Sequence, residues 1–190
     1  VTGVWDANFK GVWHLPNGTT LGALDSTSNA RNGTITGATA TTGKIDGAGA
    51  FSGSSQYISS FGSSISPSGT SRTISAWIKL SSTSRIGIIG TRPVSGTSGW
   101  VLTANLTTAG NLTYFHPGGG LIEKAASLGT GSWVQVVAVL DTSANTATLF
   151  KNGSSLGSTS AFGSDSASSF NGVIGDEQED FTNNFNGSID

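Results

Sequence analysis

The 190-residue chain has no cysteine, no methionine and only two histidines, and it is poor in charge. Its 9 Lys and Arg and 11 Asp and Glu make up 11% of positions, where a globular domain ordinarily carries about 25%. Without Cys there is no disulfide, no thiolate nucleophile and no Cys-based zinc site. His14 and His116 do not make a His-rich metal centre. So little charge excludes coiled coils and charged helical bundles. The nine cations are scattered and the formal net charge is −2, which leaves no basic stripe to neutralise phosphates and excludes nucleic acid as a partner. No apolar run approaches the ~20 residues of a membrane-spanning helix, and no basic segment leads into an apolar one at the start. Membrane insertion is therefore not expected. With Val1 first and no Met, the chain reads as a processed or excised piece of a longer extracellular protein.

What it does contain is Ser, Thr and Gly, which fill 82 positions, together with enough Leu, Ile, Val, Phe and Trp to build a core. The apolar residues recur with period two in short runs. Ile74, Ala76, Ile78 and Leu80 share one face of Thr73–Leu80, a half-buried strand. Trp133–Leu140 is apolar on both faces, as a central sandwich strand would be. Further strands are expected at 12–15, 48–51, 57–58, 86–90, 100–106, 111–115, 147–150, 172–175 and 185–189. Five Asn-Gly pairs, at Asn17, Asn32, Asn152, Asn171 and Asn186, mark tight turns, since both residue types tolerate positive φ. The clearest is Asn152-Gly153, which joins Ala147–Phe150 to Ser154–Leu156 as a hairpin. The Ser-rich stretches Ser59–Ser71 and Gly153–Ser169 read as surface loops anchored by Phe61, Ile65, Phe162 and Phe170. About ten short strands without helical periodicity imply a two-sheet antiparallel sandwich or jelly roll, all-β, over residues 1–190 as one domain.

An ordered series of motifs spans nearly the whole chain: Val12-Trp-His-Leu15, Asp25–Thr34, Gly47–Ile58, Thr73–Lys79, Gly131–Asp141, Leu149–Ser154 and Phe185–Asp190. This series resembles the laminin-G-like jelly rolls of the concanavalin A-like lectin and glucanase superfamily, in their bacterial and phage form. The resemblance implies two antiparallel sheets, one of them concave, with loops along one edge that often hold carbohydrate, and commonly a structural calcium ion. It also implies a module appended to larger secreted enzymes, adhesins or tail proteins. Residues 1–11 then form a leading segment where the domain follows another, and the last strand is expected to be short or frayed, ending as it does at Asp190.

Three constellations carry candidate chemistry. Asp25, Asn29 and Asn32 crowd oxygen atoms into one loop, and calcium takes six to eight oxygens. Spacing alone favours a run of Asx turns satisfying its own backbone, since the EF-hand pattern is absent. The resemblance favours calcium, with Asp190 as the distant carboxylate, because in similar domains this loop meets the end of the last strand. Asp176, Glu177, Glu179 and Asp180 hold four of the eleven acids. A two-carboxylate glycosidase has to be weighed there. The related glucanases carry Glu-x-Asp-x-Glu on a strand, which is absent, so a solvated acidic loop is expected.

Among the five Trp, Trp13, Trp77 and Trp133 lie in strand motifs and are assigned to the core, and Trp5 belongs to the leading segment. Trp100 is uncommitted and is a candidate sugar platform. Tyr114 is the alternative platform if it faces the concave surface, in which case His116 points with it. Arg92, His116 and Asp176 would supply hydrogen bonds. The expected function is a non-catalytic carbohydrate-binding or adhesion module, extracellular, cell-surface or virion-borne, binding a glycan or polysaccharide, carrying structural calcium and joined to flanking domains of a parent protein. The alternatives are a structural spacer without glycan binding and, third, a glycoside hydrolase.

Overall fold

The computed structural model describes the chain except residues 1–3, 17, 18, 60, 63, 64, 66–68, 94–97, 117, 119, 161, 162, 164, 165, 169 and 178–182. Among the described residues, fourteen strands form two seven-stranded sheets. In chain order they are β1 (Thr34–Thr36), β2 (Thr39–Thr42), β3 (Gly47–Ser52), β4 (Tyr57–Ser59), β5 (Arg72–Leu80), β6 (Ile86–Gly90), β7 (Val101–Ala104), β8 (Asn111–His116), β9 (Gly120–Ala125), β10 (Trp133–Asp141), β11 (Thr146–Lys151), β12 (Ser154–Ser160), β13 (Val173–Ile174) and β14 (Asn186–Ile189). The first sheet runs β1-β4-β13-β6-β7-β8-β9 and the second β12-β11-β10-β5-β14-β3-β2. Every strand pair in them is antiparallel. No α-helix forms among the described residues. This is the expected all-β jelly-roll sandwich.

Period-two alternation builds the core. On β10, Val134, Val136, Ala138 and Leu140 are buried while Trp133, Gln135, Val137 and Val139 are half-buried on the opposite face. The inward set meets Ile78 and Ile74 of β5 across a direct register, and Leu102, Leu112, Tyr114 and Ile122 fill the facing side from β7, β8 and β9. At Asn152-Gly153, φ values of 49° and 78° give the turn that joins β11 to β12, since a two-residue hairpin with right-handed twist requires positive φ at both positions.

Two expectations are corrected. The stretch Gly153–Ser169 is not all loop: Ser154–Ser160 pairs with β11 as an edge strand, with a bulge at Leu149/Phe150, and cross-strand pairing there overrides the weak strand preference of Ser and Gly. Trp77 and Trp133 do not fill the gap between sheets. They lie half-buried on the outer face of the second sheet, where Lys44 sits 5.4 Å from the Trp77 ring and Lys79 5.4 Å from that of Trp133. The strand parity that sends Ile78 and Val134 inward sends both indoles outward. Trp13 is half-buried against Phe61 at 4.8 Å, and of the expected loop anchors Phe61 and Ile65 are buried while Phe162 lies outside the described residues. The last strand is short, and it is sandwiched between β3 and β5.

Candidate functional site

The outer face of the first sheet is built by the residues that alternate with its core set. Val101 of β7, Phe115 of β8 and Leu121 of β9 stand in register, forming one row across three strands. Thr103, Thr113 and Glu123 form the next row. The first row floors a half-open pocket of about 240 Å3, completed by Thr103, Leu106, Arg85, Arg92 and Glu177. Leu121 is 46% exposed, an apolar surface facing solvent, and Arg92 stacks its guanidinium 5.3 Å from the Phe115 ring.

The walls are held by specific bonds. Glu123 accepts hydrogen bonds from the Thr107 hydroxyl (2.6 Å), the Asn111 amide (3.0 Å) and the backbone N–H groups of Thr107 and Thr108, which fixes the loop carrying Leu106. Burial alone would raise the Glu123 pKa, but these hydrogen bonds outweigh it and hold it below the ordinary carboxylate value. Asn105, at φ 59°, accepts from Gly110 N–H at 2.7 Å and donates to Ser84 O at 2.9 Å, closing the same loop. On the other side, Glu177 accepts from Arg85 Nε at 3.2 Å, from Arg85 Nη2, and from the Asn183 amide at 2.7 Å. Its side chain is fully buried whereas that of Arg85 is 42% exposed. The segment bearing Glu177 lies so close to β6 that only glycine fits beneath it. A Cβ on Gly87 would stand 2.1 Å from Asp176 C and Glu177 N.

Of the expected ligand residues only Arg92 lines this pocket. Trp100 and Tyr114 are 2% and 0% exposed, their rings stacked 6.1 Å apart at 20° within the core, with Arg72 5.9 Å from the indole centroid. His116, two residues along the same strand face as Tyr114, is buried as well. Tyr114 pairs with Leu102 and Ile122, so its side chain goes inward and that of Phe115 outward. A one-residue difference in strand parity thus exchanges platform and core. Asp176 is fully buried, accepting from Glu177 N–H at 2.7 Å and from the Asn184 amide. The expected solvated acidic loop is therefore corrected for Asp176 and Glu177, which are buried and hydrogen-bonded; Glu179 and Asp180 lie outside the described residues.

The structure joins Asp25, Asn29 and Asn32 in one loop but turns the side-chain oxygens of Asp25 and Asn32 onto the chain itself. Asp25 Oδ1 accepts from Val12 N–H (3.0 Å) and Thr27 N–H (2.9 Å), and Oδ2 from the Thr27 hydroxyl (2.8 Å) and Arg31 N–H (2.9 Å). Asn32 Oδ1 takes the Asp25 N–H, and Asn29 donates its amide to Phe9 O and Thr27 Oγ1. Asp190 accepts from the N–H groups of Lys44 and Ile45, in a different turn. No cluster of three or more His, Cys, Asp or Glu stands together among the described residues. With the oxygens of Asp25 and Asn32 taken by N–H and O–H donors and Asp190 in another turn, this set does not fit the six to eight oxygen ligands that calcium needs; Asp25 anchors an Asx-type turn.

The two-sheet sandwich and the pocket on its outer face define a lectin-like jelly roll. The chain belongs to the concanavalin A-like lectin/glucanases superfamily, whose Laminin_G_3 model matches residues 52–190. No sequence among the curated proteins matches it. Among solved structures it is similar to domain 4 of AbnA, a GH43 extracellular arabinanase from Geobacillus stearothermophilus, in complex with arabinotriose, at 20% identity and a TM-score of 0.67 over 89% of this chain and 84% of that one. It is also similar to the binding domain of Paraclostridial Mosquitocidal Protein 1 (18% identity, TM-score 0.60, 94% of this chain and 47% of that one). A third is the Ruminococcus gnavus IT-sialidase CBM40 bound to alpha2,3 sialyllactose (18% identity, TM-score 0.51, 63% and 71%).

Proposed function

We propose that the chain is a non-catalytic carbohydrate-binding module whose sugar occupies the pocket on the outer face of the first sheet. The observation that carries this is the apolar row Val101–Phe115–Leu121 bordered by Arg85 and Arg92. A sugar ring has an apolar C–H face and a polar hydroxyl rim, so its site needs an apolar floor beside directional donors. Superfamily membership and the oligosaccharide complexes of similar folds support the reading. Glu177 is the one carboxylate lining the pocket among the described residues, and both its oxygens are already engaged. A glycosidase needs a second carboxyl within roughly 5–9.5 Å across the substrate. We place the module outside the cell, on a cell surface or on a virion, as one domain of a larger protein.

A glycan array on the domain, followed by titration calorimetry of the parent and of Phe115→Ala, tests the proposal. Binding that Phe115→Ala abolishes while leaving the fold intact is expected. An array without a hit would favour a structural spacer, and binding untouched in Phe115→Ala would place the sugar elsewhere.

A further inference from the structure

The pocket contains a guanidinium whose orientation is set from behind by a buried acid. Arg85 has five N–H donors in a planar fork. Nε and one N–H of Nη2 go to Glu177, and Arg85 makes no other hydrogen bond among the described residues. Glu177 shows no surface to solvent, while 42% of the Arg85 side chain does. A buried carboxylate is tolerated only when paired and hydrogen-bonded; here Arg85 and the Asn183 amide at 2.7 Å fulfil that need. Glu177 is without solvent exposure, while Arg85, held by it and lining the pocket, keeps donors that Glu177 does not take. That is preorganisation of a donor pair.

From this we infer that the pocket reads a vicinal diol on a single neutral sugar unit, with Arg85 as the donor and Glu177 as the residue that positions it. The inference rests on the carbohydrate reading above and adds to it the ligand class. Two adjacent hydroxyl oxygens meet a guanidinium edge in the same two-point manner as a carboxylate does. Glu177 offsets the charge of Arg85, so at this edge of the pocket, apart from the Arg92 guanidinium over Phe115, an uncharged acceptor pair suffices. The volume of about 240 Å3 is below the roughly 300–1,000 Å3 of pockets that hold drug-sized ligands, and suits one ring rather than a run of several. The floor of Val101, Phe115 and Leu121 takes the C–H face of that ring.

Calorimetry with the methyl glycosides of arabinose, galactose and glucose, their deoxy analogues lacking one hydroxyl of a diol, and galacturonate tests this on the parent domain and on Arg85→Lys, Glu177→Gln and the double variant. The parent is expected to bind at least one neutral glycoside and to lose about tenfold in affinity or more with its deoxy analogue, the scale of hydrogen bonds to a charged donor. Arg85→Lys, which keeps the charge and loses the fork, should lose as much. Glu177→Gln should lose a similar factor in the Arg85 background and none in the Arg85→Lys background. Asn183→Ala, which removes only one bond to Glu177, replaces Glu177→Gln in the cycle if that variant does not fold. Losses that multiply in the double variant would make Glu177 merely structural and overturn its positioning role. Parent-like binding by Arg85→Lys, or binding of galacturonate alone, would overturn the diol assignment while leaving a carbohydrate site in place. A parent that binds no glycoside and no longer glycan overturns both readings.

Discussion

At the scale of single residues, the aromatic side chains divide by strand parity rather than by type. Trp100 packs on Tyr114 in the core, so Trp100→Ala should cost about 3–5 kcal/mol of stability, the usual consequence of emptying a large core site. Phe115→Ala, on the half-buried outer face, should cost much less; paired urea denaturation curves check the contrast. The signal separating Tyr114 from Phe115 was present but ambiguous in sequence. Trp100, Leu102 and Ala104 alternate cleanly, yet Val101 and Phe115 are apolar on the other face, and only the pairing register breaks the tie. Asp25 makes a second residue-scale case. Burial pushes its pKa up, but the N–H groups of Val12, Thr27 and Arg31 and the Thr27 hydroxyl together outweigh this and hold it below the ordinary value. A depressed folded-state pKa adds stability that is fully present above the unfolded-state value near 4 and disappears as pH falls through the folded-state value. Asp25→Asn should therefore flatten part of the stability loss below pH 4, measured as urea midpoints against pH; an unaltered acid limb would refute the role.

At the scale of elements, β6 is a strand built to lie beneath another segment. The pattern Ile86-Gly-Ile-Ile-Gly90 puts glycine where Asp176 and Glu177 cross it, and a Cβ on Gly90 would stand 2.6 Å from Glu177 O. Gly87→Ala is expected to displace that crossing and cost about 1–3 kcal/mol, as overpacking does, with sugar binding weakened because Arg85 loses its fixed partner. A parent-like melting curve would show that the segment can lift at no cost. β5 was legible from alternation, and β6 and β10 as short runs rich in Ile and Val. β1 and β2 were not, and β12 only as far as its hairpin arm Ser154–Leu156. Thr34–Thr36, Thr39–Thr42 and Ser154–Ser160 have too little apolar contrast between faces to show a period, and they become strands because their neighbours offer edges to pair with. The pocket escaped for a related reason. Its members come from three strands and four connecting segments, and only strand order in the sheet makes Val101, Phe115 and Leu121 neighbours.

At the scale of the whole molecule, the Asx turn around Asp25 holds Val12, and the N–H groups of Lys44 and Ile45 hold Asp190, through hydrogen bonds of the chain itself. Melting temperature and sugar affinity should accordingly be the same in calcium and in chelator. A lower melting temperature in chelator would mean that the Asp25 turn reorganises around a metal. The placement of β14 has a different kind of consequence, for the order of events during synthesis. This strand is made last, yet it stands in the middle of the second sheet, hydrogen-bonded to β5 on one side and β3 on the other. Until residues 186–189 have left the ribosome, the β12-β11-β10-β5 ribbon and the β3-β2 pair have nothing to join them. The domain should therefore remain protease-sensitive as a nascent chain almost to its full length and then close in one late, long-range step. Arrested chains of increasing length, probed by limited proteolysis, should show protection arising abruptly once β14 emerges, not gradually as each hairpin appears.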